Sequence, residues 1–262
     1  MTDAPVLSDR SGGIVTITLN RSDSRNAMSV ELTDAFVAEI EQVRDDADVR
    51  AVIVTGAGSA FCSGGDLGWI KPGPTASVPE MRNKMRAFYP KFLAVRSLDI
   101  PTIAAINGAA VGAGLCLAMA CDVRVAATDA KLSAPFVKLG MHPGMAATYL
   151  LTRLVGTARA AEMFFTGDAV TGEQAERIGL VNQAVARDDV LTTARSIAEK
   201  IAANAPLAVS MVKRAVYLAE RNDLETMLEY EGLAQPITMA TADLLEGLDA
   251  VKNKRPPRFE GR

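Results

Sequence analysis

A chain of 262 residues, 49% of them apolar, is long enough for one large domain or two modest ones around a substantial core. Its formal charge of −3 argues against a nucleic-acid partner, which a clustered basic face would serve; only Lys252, Lys254, Arg255, Arg258 and Arg262 make a locally basic tail. Three scattered cysteines, Cys62, Cys116 and Cys121, fit a reducing cytoplasm better than a disulfide framework, and a single histidine without a CxxC pair leaves no metal-ligand cluster to be read. The first residues lack a basic stretch ahead of an apolar run, so no signal peptide is expected.

Residues 14–19 (IVTITL) are β-branched and compact, which predicts a strand. Ser29 then caps a predicted helix in which Leu32, Phe36, Ile40 and Val43 recur at helical spacing. A second strand is expected over 49–56. Residues 71–79, with three prolines, read as a mobile surface loop, and 82–98 as a helix. Residues 100–121 carry no charge over about the length of a membrane span. Pro101, Asn107 and the glycines within that stretch favour a buried strand, a glycine turn and a buried helix over a span. Another strand follows at 122–127. Alternating strands and helices imply crossover connections and a parallel α/β core. From about residue 187 strand signals stop, and 194–203, 206–221, 224–240 and 241–252 read as successive helices.

Two loops carry the chemistry. Residues 60–67 (AFCSGGDL) follow a strand, and residues 106–114 (INGAAVGAG) lie between a strand and a helix. Small residues let backbone approach a ligand, and a helix N-terminus offers unpaired N–H groups and a positive dipole end. Two such loops face to face can aim two amides at one carbonyl oxygen, the geometry of an oxyanion hole. Glycine also serves ordinary tight turns, so each loop alone decides nothing.

The two loops do not stand alone. The 60–67 block, residues 107–126 (NGAAVGAGLCLAMACDVRVA), 139–144 (LGMHPG), 166–182 and the ending EGLDAVKNKRPPRFEGR together resemble the crotonase, or enoyl-CoA hydratase/isomerase, family nearly end to end. That resemblance implies an α/β fold with a ββα spiral core over residues 1–190. It also implies a C-terminal helical trimerisation region over 191–262, in a homotrimer or dimer of trimers. The expected ligand is an acyl-CoA thioester, with no cofactor beyond the coenzyme A of the substrate. Gly65 matches the first oxyanion amide, with Gly64 beside it, and Ala113 matches the second. Arg25 and Ala27 match the coenzyme A entrance; Ala60, Asp66 and Leu67 match its adenine and pantetheine end. Asp66 reads equally well as a helix cap. Trp69 and Tyr89 are further candidates for the entrance rim.

The chain departs from the hydratase pattern at both catalytic glutamates, whose positions hold Cys116 and Phe136. Some family isomerases place an acid where Gly144 stands. Cys116 and Phe136 are therefore expected to shape the acyl pocket; a Cys116 nucleophile is the alternative to a buried thiol. His142, the only imidazole, is the remaining candidate base, or else a residue that caps its loop. Pro143 is expected to open the next helix, whose N-terminus would disfavour the imidazolium form. These readings leave three outcomes open. The first is enolate-type lyase or isomerase chemistry. The second is hydrolysis, decarboxylation or C–C cleavage using His142 or a bound water. The third is a non-catalytic acyl-CoA binder.

Overall fold

The paired glycines Gly12 and Gly13, at φ of 60° and 75°, turn β1 (Val6–Ser11) back onto β2 (Ile14–Leu19) as an antiparallel hairpin. The computed structural model describes residues 4–71 and 73–261. Residues 1–3, Pro72 and Arg262, touched above in the N-terminal stretch, the proline loop and the basic tail, lie outside the described residues. Ser29 caps α1 (Val30–Arg44) by accepting from the Leu32 N–H, and the helix buries the predicted Leu32, Phe36, Ile40 and Val43. After β3 (Ala51–Gly56) and the short β4 (Ala60–Cys62) come α2 (Leu67–Ile70) and α3 (Val78–Phe92). The helix α3 begins inside the stretch read as loop. Ser77 and Glu80 form a capping box and Pro79 occupies the first turn, where a missing N–H costs nothing.

The uncharged stretch resolves as expected into β5 (Thr102–Ile106), β6 (Ala109–Val111) and α4 (Ala113–Ala120). Every residue of α4 is buried, which is why it is apolar all round. No helix among the described residues is long and apolar enough to cross a membrane. The chain continues through β7 (Val123–Ala127), β8 (Lys131–Ser133), α5 (Ala147–Thr166), β9 (Ala169–Thr171), α6 (Gly172–Arg177) and β10 (Gln183–Val185). One sheet runs β1-β2-β3-β5-β7-β10 and is parallel from β2 onward; a smaller one runs β4-β6-β8-β9. Each circuit lays one strand in the large sheet and the next in the small one, as β3 then β4 and β5 then β6. That is a ββα spiral. It places the connections after β4 and β6 side by side.

Four helices close the chain: α7 (Val190–Ala202), α8 (Pro206–Ala219), α9 (Leu224–Met239) and α10 (Ala242–Asn253). The first packs on β3, β5 and β7, burying Val190, Ala194 and Ala198. Asp122 ties α8 to the core, taking bonds from Lys213 Nζ at 2.8 Å and the Tyr217 hydroxyl at 2.5 Å. Neither α8 nor α9 buries a residue fully, and Leu224, Leu228, Leu233 and Ile237 of α9 are each more than half exposed.

The tail folds back on α10. Glu246 accepts from both Arg255 guanidinium ends at 2.6 and 2.7 Å and from the Arg258 N–H at 2.7 Å. These donors, Arg255 first, hold its carboxyl at about 2 against an ordinary 4.5. A lowered carboxyl favours the docked tail above the ordinary value and loses that contribution as pH falls toward the lowered one. Hydrogen exchange, corrected for intrinsic rates, should therefore show the Arg258 amide losing protection between pH 4.5 and about 2, ahead of the amides of α4.

Candidate active site

The loops after β4 and β6 touch shoulder to shoulder because glycine leaves room. A Cβ on Gly64, which sits at φ 104°, would lie 2.7 Å from the Val111 carbonyl oxygen, and one on Gly114 would lie 2.2 Å from that of Cys62. Met28 bridges the first loop: its N–H donates to Gly64 O at 2.8 Å, and its carbonyl accepts from the Asp66 N–H at 3.4 Å. In such a parallel bridge the flanking residues pair, so the N–H of Gly65 itself points to the other side. Ala113 is the first residue of α4, where an amide has no partner within the helix. Among the described residues, no hydrogen bond uses either amide. Both residues line one narrow cavity of about 130 Å³, walled further by Leu67, Trp69, Tyr89, Phe136 and His142. A larger groove of 690 Å³ beneath α8 contains neither loop.

Asn26 holds this arrangement, and the sequence reading passed over it between Arg25 and Ala27. It is fully buried with φ 56°, a conformation asparagine tolerates better than most residues. Its Nδ2 donates to the carbonyls of Ala57, Ala60 and Phe61 at 3.0, 2.9 and 3.2 Å, and its Oδ1 accepts from the Arg21 N–H at 2.8 Å. Asn26→Ala would strand these groups in the interior. It should cost about 3 kcal/mol, read as a lower urea midpoint at unchanged slope.

The other expected residues fall into three groups. Gly64, Leu67, Phe136 and His142 line the cavity with Gly65 and Ala113. Arg25, exposed at φ 54°, and the half-buried Ala27 lie beside it: the Arg25 carbonyl accepts from the Ser63 N–H at 2.9 Å, but neither residue is on the cavity wall. Ala60 is buried in β4, its carbonyl taken by Asn26. Asp66 caps α2, its Oδ1 accepting from the Trp69 N–H at 2.7 Å. Cys116 is buried behind the wall, with Sγ 3.8 Å from Gly144 O, and burial pushes its thiol up to about 12. A thiol so placed is not a nucleophile at neutral pH. Burial likewise lifts Cys62 and Cys121 to about 12.

His142 stands exposed at the rim, its Nδ1 2.7 Å from the Pro143 carbonyl. A carbonyl only accepts, so that contact puts the proton on Nδ1 and leaves Nε2 as the acceptor nitrogen. The expectation for Pro143 fails. The helix α5 starts at Ala147 after two left-handed residues, Met145 and Ala146, so His142 lies five residues ahead of it instead of at its first turn. Among the described residues, no group of three or more His, Cys, Asp or Glu is placed to hold a metal ion.

The family model for enoyl-CoA hydratase/isomerase matches residues 9–262. This chain belongs to the enoyl-CoA hydratase/isomerase family. Its relatives include the 1,2-epoxyphenylacetyl-CoA isomerase of Escherichia coli K12, 35% identical over 98% of both chains. The short-chain-enoyl-CoA hydratase of Clostridium acetobutylicum is also 35% identical, over 98% of this chain and 97% of that protein. Among solved structures, the enoyl-CoA hydratase of Bacillus anthracis superposes with a TM-score of 0.92 at 36% identity, covering 98% of this chain and all of that one. The spiral is thus the crotonase fold of the family.

Proposed function

We propose that this enoyl-CoA hydratase/isomerase family member binds an acyl-CoA thioester with its carbonyl oxygen between the Gly65 and Ala113 amides. There it stabilises the enolate formed when a proton leaves the acyl chain. The observation that carries this reading is the pair of unpaired amides opening onto one narrow cavity. Each such donor is worth about 3 kcal/mol on developing negative charge. In this reading the coenzyme A leaves past Arg25, Ala27, Asp66 and Leu67 beside the first loop, while Ala60 stays buried in β4.

The relatives' names divide between hydratases and an isomerase. The cavity favours the second. Water addition needs a base and an acid, together worth about 10²–10⁴-fold or more, and among the described residues that line the cavity none is a carboxylate. His142 Nε2 is the proton acceptor in this reading, and the chemistry is a proton shift along the acyl chain. Phe136 gives the pocket its apolar wall, with Cys116 buried behind it. A non-catalytic acyl-CoA binder is the second reading, supported by the exposure of His142 at the rim.

The helices after residue 190 bear on assembly. The exposed apolar row of α9, with Leu245, Leu248 and Val251 of α10, is covered in this reading by further copies of the chain, as a homotrimer or a dimer of trimers.

The test measures butanoyl-CoA binding by calorimetry alongside turnover of crotonyl-CoA and of a 3-enoyl-CoA. Binding, 3-enoyl turnover and crotonyl-CoA hydration no faster than background are the expected set. Binding without any turnover selects the carrier. No acyl-CoA binding overturns the proposal.

A further inference from the structure

Tyr89 lies on α3, outside every block that carries the family resemblance, yet its ring lines the cavity with Gly65, Ala113 and His142. A Cβ on Gly144 would stand 2.7 Å from the Tyr89 hydroxyl oxygen and 3.0 Å from Cζ. Position 144, where the family resemblance implies an acid in some isomerases, carries no side chain here. Glycine there vacates that space, and a phenol reaching in from another element fills it. The hydroxyl makes no hydrogen bond among the described residues, although the residue is half-buried. A buried-side O–H without an internal partner is left for whatever enters the cavity.

We propose that the Tyr89 hydroxyl is the proton donor to the acyl chain, doing from α3 what a carboxylic acid at position 144 would do. This rests on the oxyanion-hole reading above. His142 Nε2 removes a proton from the acyl chain, and the C–H electron pair moves into the enolate held by the two amides. On collapse, that pair forms a new C–H bond with the Tyr89 proton, and the O–H pair stays behind as phenolate. Water returns a proton to the phenolate and removes one from the imidazolium, so no net proton, electron or further reactant is consumed. Burial raises the phenol above its ordinary value of 10, which keeps it protonated, and hence an acid, through the neutral range.

The test is Tyr89→Phe, which keeps the ring and deletes the O–H. Deuterium entry at C2 of butanoyl-CoA in D₂O is followed by mass spectrometry, with butanoyl-CoA Kd by calorimetry and circular dichroism in parallel. Wild-type exchange reduced at least ~10²-fold in the variant, at a Kd within about threefold, is the expected result. Equal exchange in the two proteins would assign the proton-donor step to a group other than Tyr89 and overturn the proposal while leaving the oxyanion hole intact. Wild-type binding with no exchange also overturns it. Wild-type failure to bind butanoyl-CoA overturns the underlying reading instead.

Discussion

Ala113→Pro should lower 3-enoyl-CoA turnover by about 10²–10³-fold while changing the melting temperature by only a few degrees. The position is suited to so selective a change. Ala113 is the first residue of α4, where proline's fixed φ suits the helix and its absent N–H breaks no helical bond. What proline removes is the one amide assigned to the thioester oxygen. The preceding Gly112, at φ 54°, has no Cβ to meet the new ring. Gly65 offers no such clean experiment, since even a Cβ there would lie 2.8 Å from Ile70 Cδ1. Ala113→Ser, which keeps the amide, should stay within about threefold of wild type. Steady-state kinetics on the two variants checks the prediction, and full activity in Ala113→Pro would move the oxyanion site elsewhere.

His142→Gln should reduce turnover on the same substrate at least ~10²-fold with acyl-CoA affinity nearly unchanged. The hydrogen bond from Nδ1 to Pro143 O fixes the ring and presents Nε2 as an acceptor. Glutamine reproduces the hydrogen bonding of the side chain without its basicity, so it separates a base from a residue that only holds its loop. His142→Ala should match it. Comparing kcat with Kd for the two variants decides the matter: a fully active glutamine variant makes His142 a loop residue.

Much of this architecture was legible in residue patterns. The runs IVTITL and TIAAI became the central β2 and β5, and Ser29 with its helical stripe became α1, because β-branched composition and period are local properties. The strand β1 was not legible: VLSDRS is almost wholly exposed and lies at the sheet edge, so its hydrogen bonds rather than its side chains define it. The small sheet is built of three-residue strands, too short to show a period. The start of α5 carried no cap signal, since Ala146 caps it through a left-handed backbone, and Gly156 at φ 76° interrupts it. At the site, the two small-residue loops were visible locally, but only the family resemblance singled out Gly65 and Ala113 within them. Asn26 was not singled out, and Tyr89 was read only as a residue of the entrance rim. Each acts on segments more than thirty residues away, and only the folded spiral brings them together.

The most direct test of the oxyanion hole is the structure of the protein with bound butanoyl-CoA. The thioester oxygen should lie about 2.7–3.1 Å from both the Gly65 and the Ala113 nitrogen, with the acyl chain running between Phe136 and Tyr89. A thioester bound elsewhere, with those two amides turned to acceptors within the protein, would contradict it.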